Sequence, residues 1–140
     1  MTTTGRPRCP DHIALQLDAI AAVDLALYAA ASGDLNPLHL DADAARAAGF
    51  ERPIAHGMRT MACAARLFTA HFGATSLRAL NTRFVGSAQL GDALLLRATL
   101  ARVEDDADTA HYDLTVATAA GKAVATGSAR VALAPPPAAA

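Results

Sequence analysis

HGMRTMACAARLFTAHFG, residues 56–73, decides how the rest of the chain must be arranged. Met58, Met61, Ala65, Phe68 and Phe72 recur at spacings of three and four, so they share one helical face. The opposite face is mostly Ala and Cys, relieved by Arg59, Arg66 and His71. A helix this apolar on both sides has to be enclosed, most simply by a sheet.

The remainder of the sequence supplies that sheet. HIALQL (12–17), SLRALNTRFV (76–85), ALLLRATLARVE (93–104), TAHYDLTVATA (109–119) and KAVATGSARVAL (122–133) all read as strands. The fourth is the clearest, with Ala110, Tyr112, Leu114 and Val116 alternating against His111, Asp113, Thr115 and Ala117. Gly91-Asp92, the acidic DDAD at 105–108 and Gly121-Lys122 mark turns, and short connections of this kind favour antiparallel hairpins. Between the first two strands lie two shorter helices. IAAVDLALYAAASG ends near Gly33, and DADAARAAG (41–49) has an Asp to cap its start and Gly49 to close it. The expected class is α+β: an antiparallel sheet of about five strands wrapped around a long central helix.

Composition narrows the function. The 140 residues suit one domain, 53% hydrophobic and 18% charged, with a net charge of −1. That balance offers no basic footprint for nucleic acid or an anionic membrane. No stretch reaches the roughly 20 apolar residues of a membrane span, and the basic N-terminus is followed by no apolar segment. Cys9 and Cys63 are far apart and outside any metal-ligand spacing, which favours a reducing, cytoplasmic compartment. Residues 1–11 read as a flexible arm, 12–133 as the folded domain, and 134–140 as a disordered Pro/Ala tail.

Two clusters carry chemistry. In SGDLNPLHLD (32–41), Asp34 and His39 bracket a turn that Gly33 permits and Pro37 stiffens. A carboxylate and an imidazole that reach one water can deprotonate it and return a proton. The same residues also suit a plain polar turn, and both readings stand at this point. In RPIAHGM (52–58), Gly57 opens the long helix, where free amides and the positive dipole end favour a developing negative charge. The plain alternative is a helix start with His56 as its polar cap. His12, His71 and His111 are isolated, Cys63 sits among alanines, and Arg83 suits either a solvent-facing strand or a substrate phosphate.

Taken together, YAAASGDLNPLHLDADAARAAGFERPIAHGM closely resembles the signature of the MaoC-like dehydratases, the (R)-specific enoyl-thioester hydratases of the hotdog fold. Tyr28, Ser32, Gly33, Asp34, Asn36, Pro37, His39, Asp41, Gly49, Phe50, Pro53, His56, Gly57 and Met58 fall in register with it. NTRFVGSAQLGDAL is similar to the family's later strand–turn–strand element through Arg83, Phe84, Gly91 and Asp92. SAQLGD departs from the apolar-proline stretch common there, and Ala62 to Ala65 lack a hydroxyl that some relatives carry.

The resemblance implies a single hotdog domain over 12–133. It implies (R)-specific hydration of trans-2-enoyl thioesters, or the reverse dehydration, with Asp34 and His39 activating water and the Gly57 amide polarising the thioester carbonyl. Asn36, which mainly supports the turn, and His56, Met58 and Arg83 would lie along the substrate path. No metal or redox cofactor is implied; the acyl group would be carried on coenzyme A or acyl carrier protein. A homodimer, or a heterodimer with another hotdog subunit, is expected. A hotdog thioesterase and a non-catalytic acyl-binding subunit are the rival functions.

Overall fold

A computed structural model describes residues 9–105 and 108–133; the tail 134–140, most of the arm and the middle of the acidic turn lie outside the described residues. The elements run β1 (His12–Gln16), α1 (Ala22–Ser32), a 3-10 turn (Pro37–His39), α2 (Ala42–Ala47), α3 (Gly57–Phe72), β2 (Leu77–Phe84), β3 (Leu94–Val103), β4 (Thr109–Thr118) and β5 (Ala123–Ala132). The five strands form one antiparallel sheet in the order β1-β3-β4-β5-β2. α3 lies against its inner face, which is the hotdog arrangement.

The helix ends follow from their sequences. Asp24 in the first turn of α1 accepts from the Ala21 amide at 2.8 Å, and Gly33 closes the helix at φ 76°. Asp41 caps α2 by accepting from the amides of Asp43 and Ala44.

Two expectations need correction. The buried stripe of α3 is Thr60, Ala64, Leu67 and Phe68, whereas Met58 is 59% exposed and Met61 and Ala65 are only half-buried. Of the apolar face marked by the sequence, Phe68 is in the core and Phe72 packs against it, while the methionine end turns outward. Ala64 lets the helix approach the sheet closely, so Leu67 and Phe68 take the core while the thioethers are left at the rim. Truncating Phe68 in such a site costs about 3–5 kcal/mol. The second correction concerns the Gly91-Asp92 turn, which joins no hairpin. β2 pairs with β5 at one edge and β3 lies between β1 and β4, so residues 85–93 cross the end of the sheet. DDAD and Gly121-Lys122 do lie between paired neighbours.

The sheet's inner face reads directly from its alternation: Ala110, Tyr112, Leu114 and Val116 of β4 are buried, facing Leu94, Leu96 and Ala98 of β3 and Ala125, Ala129 and Val131 of β5. β5 approaches β2 closely at Gly127. A Cβ on Gly127 would lie 2.0 Å from the Asn81 carbonyl oxygen, so only glycine admits this approach. Residues 9–11 of the expected flexible arm are tied down. The buried Tyr112 hydroxyl donates to the Pro10 carbonyl at 2.8 Å and lies 3.0 Å from Cys9 Sγ, and the Leu100 amide donates to Asp11.

Candidate active site

The turn after α1 is held by bonds that reach only a few residues. Ser32 Oγ donates to the Tyr28 carbonyl and accepts from the Asp34 amide at 3.2 Å. Asp34 Oδ1 accepts from the Asn36 amide at 3.3 Å, and Asn36 Oδ1 accepts from Leu38 at 3.1 Å. These side-chain-to-backbone bonds are why Asp and Asn suit this turn. Pro37 then opens the 3-10 turn that carries His39 inward.

His39 Nδ1 lies 2.7 Å from the Ile54 carbonyl oxygen. A carbonyl only accepts, so Nδ1 carries the proton and Nε2 is left as the lone pair of the neutral ring. Nε2 faces Asp34 Oδ2 at 3.6 Å. That gap is too long for a direct hydrogen bond, and a water oxygen beside both atoms can bridge them. The Asp34 side chain is 52% exposed while His39 is buried, so the acid looks into solvent and the imidazole backs it.

α3 begins beside this pair. His56, its N-cap residue, is 1% exposed and makes no side-chain cap. Its ring stacks on His39 with centroids 3.7 Å apart and planes 24° off parallel, and Tyr28 tilts against it at 4.8 Å. Its Nε2 lies 3.1 Å from the Asp34 carbonyl oxygen, so Nε2 donates. Gly57 follows as the first residue of the helix, where the amide has no intrahelical acceptor. The Phe84 ring lies over it, 3.2 Å from where a Cβ would stand.

Ligand-capable atoms of Asp34, His39 and His56 all lie within 4.8 Å of one another. The donor set nonetheless suits proton transfer better than metal binding. Each ring donates one nitrogen to a carbonyl, which leaves one nitrogen per ring beside a single carboxylate. His56 Nδ1 is moreover buried without a partner.

The structure therefore gathers Asp34, Asn36, His39, His56 and Gly57. His56 is enclosed behind His39 and presents no surface for direct substrate contact. Met58 is exposed on the first turn of α3. Arg83 does not join the site. It neighbours Phe84 along β2, and alternation puts it on the outer face of the sheet, away from α3. Sequence reading missed the Ile54 carbonyl, which no side chain announces. It also missed the brace under this segment, where Arg52 bonds the Leu90 carbonyl and Asp92 Oδ1, its amide donating to Gln89 Oε1. The Arg52-Pro53 and Gly91-Asp92 pairs were the available signals. Among the described residues, no helix is long and apolar enough to cross a membrane.

Comparison with known proteins places the chain among relatives. The family described as MaoC like domain matches residues 5–122. An (R)-specific enoyl-CoA hydratase of Aeromonas caviae is 32% identical over 119 residues, covering 80% of this chain and 85% of that protein. A probable enoyl-CoA hydratase of Dictyostelium discoideum is 36% identical over 92 residues, covering 64% of this chain and 31% of that one. The chain thus spans about a third of the Dictyostelium protein's length. Among solved structures, the (R)-hydratase from A. caviae involved in PHA biosynthesis superposes with a TM-score of 0.82 at 29% identity, covering 91% of this chain and 97% of its own.

Proposed function

Since the chain belongs to the MaoC-like domain family, we propose that it is a hydro-lyase adding water across the double bond of a trans-2-enoyl thioester, giving a (3R)-hydroxyacyl thioester, or catalysing the reverse. The observation that carries this reading is Asp34 Oδ2 and His39 Nε2, 3.6 Å apart, with Nδ1 held by the Ile54 carbonyl, beside the first-turn amide of α3. Water held between the two loses a proton to His39 Nε2 as its oxygen bonds to C3. The electron pair of the double bond moves toward the thioester carbonyl, and the Gly57 N–H, with the helix dipole behind it, stabilises the enolate oxygen. Collapse of the enolate takes a proton at C2 from the Asp34/His39 pair, so one water is added and the pair is restored. Adding water changes no oxidation state overall, and the route uses no redox cofactor or metal. The acyl group would arrive on coenzyme A or acyl carrier protein.

A second hotdog subunit, identical or related, fits the apolar rim. Leu27, Leu35, Met58, Phe84 and Val85 are all exposed on a single chain; Leu35 and Met58 adjoin site residues in sequence, and the Phe84 ring lies over Gly57.

The test is purified protein with crotonyl-coenzyme A, following the conjugated enoyl absorbance beside an Asp34→Asn control. Loss in the wild type alone, with (3R)-hydroxybutyryl product, supports the proposal. Free thiol release would replace it with thioester hydrolysis, and binding without turnover would replace it with an acyl-binding role.

A further inference from the structure

We infer that His56 is a positioning residue for the proposed hydration: it fastens the acid end of the turn while its ring sets the plane of His39. The inference rests on that functional reading and goes one step past it.

The turn 33–39 has two functional ends, and each needs an anchor to the body of the domain. The His39 end is anchored by Ile54, whose carbonyl accepts from Nδ1 at 2.7 Å and whose amide donates to Leu38 at 2.9 Å. The Asp34 end is tied only to near neighbours in sequence, to Ser32 at the end of α1 and to Asn36 in the turn, and neither bond fixes it against the segment that carries Ile54. The His56 donation to the Asp34 carbonyl, at 3.1 Å across 22 residues, supplies the missing tie. Two residues of one extended segment, 54 and 56, therefore pin the two ends of one turn, and their spacing sets the separation of carboxylate and imidazole.

The imidazole of His56 does more than donate. With the proton on Nε2, Nδ1 is a buried acceptor with no donor. An amide or a hydroxyl could also donate to this carbonyl, so the hydrogen bond alone does not call for an imidazole. What only a flat ring supplies is the face stacked on His39 at 3.7 Å, itself backed by Tyr28 at 4.8 Å. That stack limits rotation of His39 about χ2 and keeps Nε2 aimed at the water position.

The two functions separate by substitution. His56→Phe keeps a ring and removes the donor, His56→Gln keeps a donor and removes the ring, and His56→Ala removes both. With crotonyl-coenzyme A, kcat of His56→Ala should fall by about 100-fold with KM nearly unchanged, and each of the other two should recover part of that loss. Thermal melting on the same samples identifies any variant that does not fold. A second readout needs no turnover. In ¹⁵N-imidazole NMR the wild type should show His39 as the Nδ1–H tautomer and His56 as the Nε2–H tautomer. In His56→Ala the His39 signals should average between tautomers, and in His56→Phe they should stay fixed. The inference is overturned if folded His56→Ala keeps wild-type kcat, if its loss lies in KM alone, or if His39 stays fixed without the ring. A wild type that hydrates nothing would sink the functional reading, and the NMR would still decide the positioning.

Discussion

The turn 33–39 and the segment 52–56 face each other across the site and are built in opposite ways. The turn is largely exposed, and the bonds that shape it span two to four residues, from Ser32 to Tyr28, Asn36 to Asp34 and Leu38 to Asn36; its longer side-chain ties run from His39 to Ile54 and from His56 to the Asp34 carbonyl. The segment is largely buried and bonded to distant chain: Arg52 to Gln89, Leu90 and Asp92, Pro53 to Leu90, Ala55 to Ala88. One side of the site therefore forms as soon as its own residues meet. The other exists only once the loop before β3 has crossed the end of the sheet. A reacting pair divided this way has a locally specified acid and an imidazole whose aim depends on the whole fold.

The largest effect should come from His39, where the two regions meet. His39→Ala removes the base and is expected to lower kcat by about 1,000-fold in the enoyl-thioester assay, in protein that still folds, with a lowered melt because a buried ring and its bond to Ile54 are lost. A folded His39→Ala that still turns over would break the division of roles drawn here. Next, Gly57→Ala places a methyl 3.2 Å from the Phe84 ring. The ring edge must move by a few tenths of an ångström, and we expect about a tenfold loss of kcat, part of it regained on adding Phe84→Leu. No coupling in that double-mutant cycle would mean the ring does not govern access to the amide.

Arg52→Ala should weaken the long-range side alone. Its guanidinium is 43% exposed, so the expected cost is about 1 kcal/mol in denaturant unfolding, with faster hydrogen exchange at Ala55 and Leu90. Asn36→Ala tests the short-range side and should be smallest, about 0.5 kcal/mol, with exchange quickened only at Leu38. If Asn36→Ala loosened residues 88–92, the two sides would not be independent.

The same contrast explains what the sequence disclosed. Gly33, Asp34, Asn36 and Pro37 announce a stiff polar turn because the bonds that shape it are local, whereas the tie of His39 to Ile54 is not. Asp41 and Gly49 announce α2 for the same reason. The outward turn of the methionine end of α3 was not legible because Met58 and Met61 are as apolar as Leu67. Only the sheet's position decides which of them is covered. Arg83 stands on the solvent-facing side, one of the two readings open for it: a strand's two faces differ by one residue, and β2 has exposed residues on both. The crossing by residues 85–93 could not be read from turn residues, since Gly91-Asp92 would serve a hairpin equally well.

Tyr112 has a spectroscopic consequence. The chain has no tryptophan and two tyrosines, Tyr28 against His56 at the site and Tyr112 in the core. Burial, with the neighbouring Cys9 adding to it, raises the Tyr112 phenol far above its ordinary value of 10.0. Its folded value exceeds its unfolded one, so the associated stability is intact below pH 10 and declines as pH rises beyond it. Tyr112 should therefore yield no tyrosinate absorbance until the sheet opens, and an alkaline jump would time that opening. Tyr28 emission remains a separate reporter of the site.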